Sequence, residues 1–387
     1  MSQLNKIKRD IEPDHLYFDL LITNSSSTTT APKPFAYSES RSIPFIKTPE
    51  LYDLSVVRFS IDTGLTPVFI PSIEPSQTDV NLTAYSVTLT YDGVEVEVPI
   101  TWQPQDKSAS KPVPPSQTYN KHANLDTGYY NCYSYSYFCY LVYEAIKEAH
   151  ADLKAQVLAS GNHDLDGSLY APIITWDSTS NSAVMYANVE YFDISETNHI
   201  GVYFNAPLYS LFSSFPSVYL GYTGVTLGKN YKLTITDIGG TNSQTITVPR
   251  STDTWTAITL YQEYSTTESW SPITAIVFCS NTLPIIPSQV STPFIYDENN
   301  LQKLTGNDSA TSNIITDIVS PTGLYRPNLV YNPTAEYRRI SLVGNQPLTN
   351  IDLQIYYRLR TGHLIPFTLG SGGSVTMKIA FLKKKPF

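Results

Sequence analysis

Two alternating runs, YSVTLTY and VEVEVPITW, are separated by nothing but Asp92-Gly93. A two-residue link of this kind closes a type I′ turn, which needs positive φ at both central positions, so residues 85–102 read as a β-hairpin. The same style recurs along the chain. Short runs of β-branched and aromatic residues at 16–23, 54–61, 171–176, 183–192, 201–204, 231–236, 244–248, 255–261, 273–279, 314–318, 338–342, 351–359 and 375–382 are bounded by Pro, Gly, Asn or Asp. Composition agrees, with 29 Tyr and 27 Pro in 387 residues. Such residues suit pleated surfaces and the turns that interrupt them, and about fourteen short strands predict an all-β sandwich or jelly roll.

One segment breaks the pattern. From Tyr135 to Leu158 the apolar residues Phe138, Leu141, Val142, Ala145, Ile146, Ala149, Leu153 and Val157 recur at three- and four-residue spacing, which predicts a helix with one buried face. His150 is read as lying on its polar side. The polar, proline-rich stretch 103–127 before it reads as a long loop. The segments 54–72 and 273–288 echo one another, each running from an apolar strand through a polar turn into Leu, Pro and a second apolar run. Either two related β-domains or chance similarity accounts for that.

Catalytic signatures are missing. The sequence has no Walker-type phosphate loop, GxSxG elbow, HExxH or CxxC pair. Its six histidines, at 15, 122, 150, 163, 199 and 363, include no helical i, i+4 metal pair. Cys132, Cys139 and Cys279 are read as buried thiols of a reducing compartment. Residues 162–167 (NHDLDG) resemble the opening of a calcium loop, but Ile173 stands where the closing Glu belongs, so a plain turn is the reading. Sequons at Asn24, Asn81 and Asn307 have no secretory signal beside them. No apolar run approaches the ~18–20 residues of a membrane-spanning helix, and no membrane insertion is expected. Neither cofactor nor metal is expected.

Two features point to contacts instead. Tyrosines cluster at 129, 130, 133, 135, 137, 140 and 143, which suits either core packing or an interface. The chain carries 34 acidic and 25 basic side chains, yet Lys6, Lys8 and Arg9 at one end and Lys383, Lys384 and Lys385 at the other are basic. Basic ends on an acidic body suit either solvated tails or contacts with nucleic acid or an acidic neighbour.

Longer blocks then carry a family resemblance: Glu39 to Phe45 (ESRSIPF), LYDLSVVRFSIDTGLTPVFIPSI, YSVTLTYDG with VPITWQP, YSYSYF, VYFNAPLYSLF, WSPITAIVFCSNTLPI, and YNPTAEYRRISLVGNQPLTNIDLQIYYRLRTGHLIPFTLGSGGSVTMKIAF. Over about residues 16–382 the chain resembles the penton, or minor capsid, proteins of virophages and polinton-like viruses, nearest to the Sputnik type. The resemblance implies a non-enzymatic structural protein: a jelly roll standing in the capsid, an added outward-facing domain, and five copies closing each five-fold vertex. No catalytic residues carry over.

Together these give the following expectations. Residues 1–15 form a basic N-terminal arm, 16–105 and 255–387 a discontinuous jelly-roll domain, and 106–254 an inserted β-rich domain with the long helix. The alternatives are a double jelly roll, as in a major capsid protein, and a receptor- or carbohydrate-binding sandwich. The expected partners are other copies of the chain in a homopentamer, the major capsid protein, other minor capsid proteins, the genome through Lys6, Lys8, Arg9, Lys383, Lys384 and Lys385, and a host receptor or glycan. The expected location is the virion, after synthesis and assembly in the host cytoplasm or a virus factory.

Overall fold

A computed structural model describes residues 12–24, 33–74, 79–105, 128–221, 228–237, 240, 242–247, 252–286, 290–291, 295–296, 302–303, 312–319, 328–331, 338–360, 362 and 364–384. The chain divides into two compact units. The first comprises residues 1–66, 273–321 and 326–387, and the second 67–272 with 322–325.

Eight strands frame the sandwich of the first unit, with shorter strands beside them: β1 (His15–Thr23), β2 (Ala36–Ser40), β3 (Tyr52–Asp62), β4 (Ile273–Ser280), β5 (Ser312–Val319), β6 (Asn328–Tyr331), β7 (Asn350–Leu359) and β8 (Ser374–Lys383). All neighbours are antiparallel, in the order β1-β8-β3-β6 in one sheet and β5-β4-β7-β2 in the other. The pairs 1·8, 2·7, 3·6 and 4·5 are those of one long hairpin wound on itself, which defines a jelly roll. The second unit enters the chain between β3 and β4.

Period-2 patterning sets the inner faces. Along β7, Ile351, Leu353, Ile355, Tyr357 and Leu359 are buried in alternation. In β3 the buried positions pass from Tyr52, Leu54 and Val56 to Phe59 and Ile61. The parity changes because Lys378 and Ile379 of β8 pair with Arg58 and Val56, leaving Val57 as the extra residue of a bulge.

Aromatic contacts close the sandwich. Phe59 meets Phe278 with centroids 5.0 Å apart, and Phe45 meets Phe381 at 5.7 Å. Asp352 of β7 is buried and holds the turn after β4, accepting hydrogen bonds from the Ser280 hydroxyl, Asn281 N (3.0 Å), Thr282 N (2.9 Å) and Thr282 Oγ1 (2.7 Å).

The second unit is built differently. Its helix α1 (Tyr135–Ala159) packs on strands Leu82–Tyr91 and Val94–Thr101 of a five-stranded sheet and on Ile173–Asp177 of a four-stranded one. Buried Trp270 is surrounded by Phe69, Tyr135, Phe138, Trp176 and Phe212 at centroid distances of 5.2–5.7 Å, and its Nε1 donates to Leu211 O at 2.8 Å. Asp92 and Gly93 turn the hairpin at φ 46° and 79°, as the type I′ reading requires.

Two readings change here. The dividing points fall at 66/67 and 272/273 rather than 105/106 and 254/255, because the hairpin of 82–101 buries its apolar face on α1 and strand Thr254–Tyr261 pairs with Ser182–Asn188. Among the described residues the second unit is a five-stranded and a four-stranded sheet around a helix, in a strand order that differs from the first unit's jelly roll. The echoing strands of 54–72 and 273–288 are β3 and β4, which lie in opposite sheets of one unit.

Candidate assembly surfaces

Several chemistry-bearing side chains among the described residues are engaged in holding the fold. Cys132, Cys139 and Cys279 are buried and free, and burial pushes the Cys132 and Cys279 thiols up to about 12. Among the described residues no group of His, Cys, Asp or Glu is placed to hold a metal ion. In the 162–167 turn, Asp164 accepts from the Tyr91 hydroxyl at 3.1 Å and Asp166 lies 2.9 Å from His163 Nδ1. His150 corrects the sequence reading, since it is buried and sits 2.8 Å from Ser168 Oγ. Its spacing of four from Ile146 and three from Leu153 places it inside the apolar stripe.

Several clustered tyrosines prove to be structural. Tyr129 and Tyr130 are buried, donating to Asn81 Oδ1 and Val80 O at 2.7 Å each, and the Tyr137 hydroxyl donates to Gln103 O at 2.7 Å. Both described sequon asparagines are likewise engaged, Asn24 Nδ2 on Leu369 O at 2.9 Å and Asn81 on Tyr129.

Of the six basic residues singled out at the chain ends, Lys6, Lys8, Arg9 and Lys385 lie outside the described residues. Lys383 is the last residue of β8, and its backbone N–H donates to Asp14 O at 2.9 Å. Lys384 donates from N to Leu51 O (2.7 Å) and from Nζ to Glu50 O (2.8 Å), with Asp53 Oδ1 3.9 Å away. The run therefore starts as part of the sandwich, and Lys384 is spent on β3 and the turn before it.

Residues the sequence did not single out form two decorated faces on the first unit. On the outer side of β1-β8-β3-β6, Leu21, Thr376, Ser60 and Val330 are register partners in one cross-strand row. Leu21 and Val330 are 67% and 64% exposed. The adjacent row sets Asp19 between Lys378 Nζ at 3.3 Å and Arg58 Nη2 at 3.8 Å, and that ammonium stands 5.2 Å over the exposed Tyr17 ring. The opposite face carries Asp317, whose carboxylate bridges Arg338 Nη1 (2.6 Å) and Arg358 Nη1 (3.2 Å), next to the exposed Val319. Val277, Cys279 and Ile314 form a small buried cluster there with Tyr356 and Leu364.

The pairs on the exposed Asp19 carboxylate add little stability, at about 0–1 kcal/mol each. Their consequence is for contact: a face whose charges already pair within one chain can be covered without stranding an unpaired charge. The signal was present in β1, where Tyr17 and Leu21 alternate with Phe18 and Leu20. A strand apolar on both faces is one that gains from cover on both.

The comparisons agree with this structural character. A family model described as Sputnik minor capsid protein V18/19 matches residues 16–383. The chain is 34% identical over 160 residues to the uncharacterized protein V18 of Sputnik virophage, covering 41% of the chain and 95% of that protein. It is 26% identical over 215 residues to structural protein V19 of the same virophage, covering 54% and 93%. Among solved structures, a chain in the cryo-EM structure of the Sputnik virophage aligns with a TM-score of 0.76 at 27% identity, over 96% of this chain and 99% of that one. The mavirus penton protein shares the fold, with a TM-score of 0.56 at 16% identity over 96% and 100%.

Proposed function

Since the chain belongs to the Sputnik minor capsid protein V18/19 family, we propose that this structural, non-enzymatic capsid protein is the penton subunit, five copies of which close each five-fold vertex. The observation that carries the reading is the jelly roll closed from both chain ends around a large inserted unit, a chain-long architecture with a counterpart in the mavirus penton protein. The jelly roll is the part that stands in the shell. A closed ring uses heterologous contacts, so each subunit must offer two different surfaces. The two decorated faces of the sandwich, one with Tyr17, Leu21 and Val330 and the other with Val319 and the Asp317 network, fill that requirement.

The partners in this reading are the neighbouring copies, the major capsid protein and other minor capsid proteins. The basic ends, through Lys6, Lys8, Arg9 and Lys385, face inward to the genome or to the shell lining, and assembly takes place in the host cytoplasm or a virus factory. Copy number tests the assignment: quantitative mass spectrometry of purified particles should find this chain as a minor component beside an abundant major capsid protein. Abundance equal to that protein's would replace the vertex reading with a major-capsid one.

A further inference from the structure

His150 is 4% exposed within the apolar stripe of α1, and its Nε2 lies 2.8 Å from the hydroxyl of Ser168, which is 1% exposed. One turn further along the same helix, Lys154 Nζ donates to Ser168 O at 2.6 Å. Two groups of α1 thus fasten the 163–168 segment at a single residue. The ring of Phe192 closes the third side, 6.1 Å from the imidazole.

Among the described residues, the charged and titratable groups around this point form no ion pair with the imidazole. On α1 the neighbour is the Lys154 ammonium. On the 163–168 segment, Asp164 accepts from Tyr91, and Asp166 faces His163 at the exposed end. On the short helix Val189–Phe192, Glu190 interacts with Tyr191, whose hydroxyl lies against Gly167. None of these carboxylates forms a hydrogen bond with His150.

We infer that His150 is an acid-sensitive fastening: an imidazolium at this point is a buried cation beside Lys154, and forming it releases the 163–168 segment and loosens the second unit. Burial first, and the Lys154 charge second, hold the imidazole down at about 4, against 6.5 for an ordinary histidine. The unfolded chain therefore binds the proton first. Stability is complete above about pH 6.5 and declines about tenfold in the folding equilibrium for each pH unit down to about 4, where it levels off. Asp177, held low chiefly by the Ser180 hydroxyl, and Asp193, whose hydrogen bonds from Ser195 and Asp237 outweigh burial, act below that window, since both titrate under 3.8.

The test uses the full-length protein. Histidine C2 deuterium exchange read by mass spectrometry follows each imidazole, while backbone exchange follows 135–168. The expected result is that His150 stays neutral to about pH 5, and that opening of 135–168 rises about tenfold per pH unit between about 6.5 and 4.5 after correction for intrinsic exchange. His150→Gln should remove that pH dependence. Should that variant not fold, Lys154→Met serves, and it should raise the His150 midpoint. Protonation of His150 near the ordinary histidine value of 6.5, or opening in the wild type that ignores pH over this range, would overturn the inference.

Discussion

The rings of Phe59 and Phe278 meet with centroids 5.0 Å apart and planes inclined at 57°, joining β3 of one sheet to β4 of the other across the start and end of the inserted unit. Both are essentially inaccessible, at 1% and 0% exposure. The contact is made by two strands on either side of residues 67–272 in the chain, so it fastens the jelly roll where the insertion leaves it.

Phe278→Ala should therefore cost about 3–5 kcal/mol, the usual range for emptying a buried aromatic site. Urea unfolding followed by a probe in the first unit would read this as a lower midpoint. A midpoint unchanged from wild type would mean that the two sheets do not depend on this contact.

Asp352→Ala should destabilise the same unit by on the order of 2 kcal/mol, because the polar groups of Ser280, Asn281 and Thr282 lose a shared acceptor. Burial works against the charged form of Asp352, but the Ser280, Asn281 and Thr282 hydrogen bonds outweigh it and hold the carboxyl below 3.8. The sign follows from the lowered value: the contribution is complete above the unfolded carboxyl range and is lost as pH falls through the depressed native one. Thermal melts of wild type and variant should converge in strong acid.

Gly93→Ala should cost about 1 kcal/mol, since the residue stands at φ 79° and its Cβ would meet no neighbouring atom. The loss is one of backbone conformation, so chemical denaturation should show it with no change in core packing. Asp92→Gly should cost less.

Much of this architecture is legible in the residues, and the exceptions have identifiable causes. The Asp92-Gly93 hairpin, α1 and the long strands β3, β7 and β8 announce themselves because each must bury a face with a fixed period. β2 does not, because AYSES has no apolar alternation and, among the described residues, pairs with one end of β7 alone. β6 (NLVY) is four residues long and, among the described residues, pairs with β3 alone. The stretch 189–192 reads as strand yet forms a helical turn, capped by Asn188 Oδ1 accepting from Glu190 N. His150 reads as polar by residue type, although its spacing sets it in the buried stripe of α1. The two decorated faces are not legible as surfaces in the sequence, because only register puts Leu21 and Val330, or Asp19 and Lys378, in shared rows.

Leu21→Glu with Val330→Glu should leave the isolated chain folded, because both side chains project outward, while preventing ring formation and incorporation into particles. Circular dichroism and particle yield separate the two effects. Normal yield would remove this face from the assembly account.

Deleting Met1 to Arg9 should leave the thermal transition of the isolated protein in place and weaken its incorporation into particles. A collapsed transition would place the arm in the core.

The most direct test is the native mass of the purified protein by light scattering behind gel filtration, with negative-stain imaging of the oligomer. The account predicts a closed ring of five 43.2 kDa chains, lost in the Leu21→Glu, Val330→Glu variant. A trimer, as a major-capsid or spike subunit would form, would contradict it.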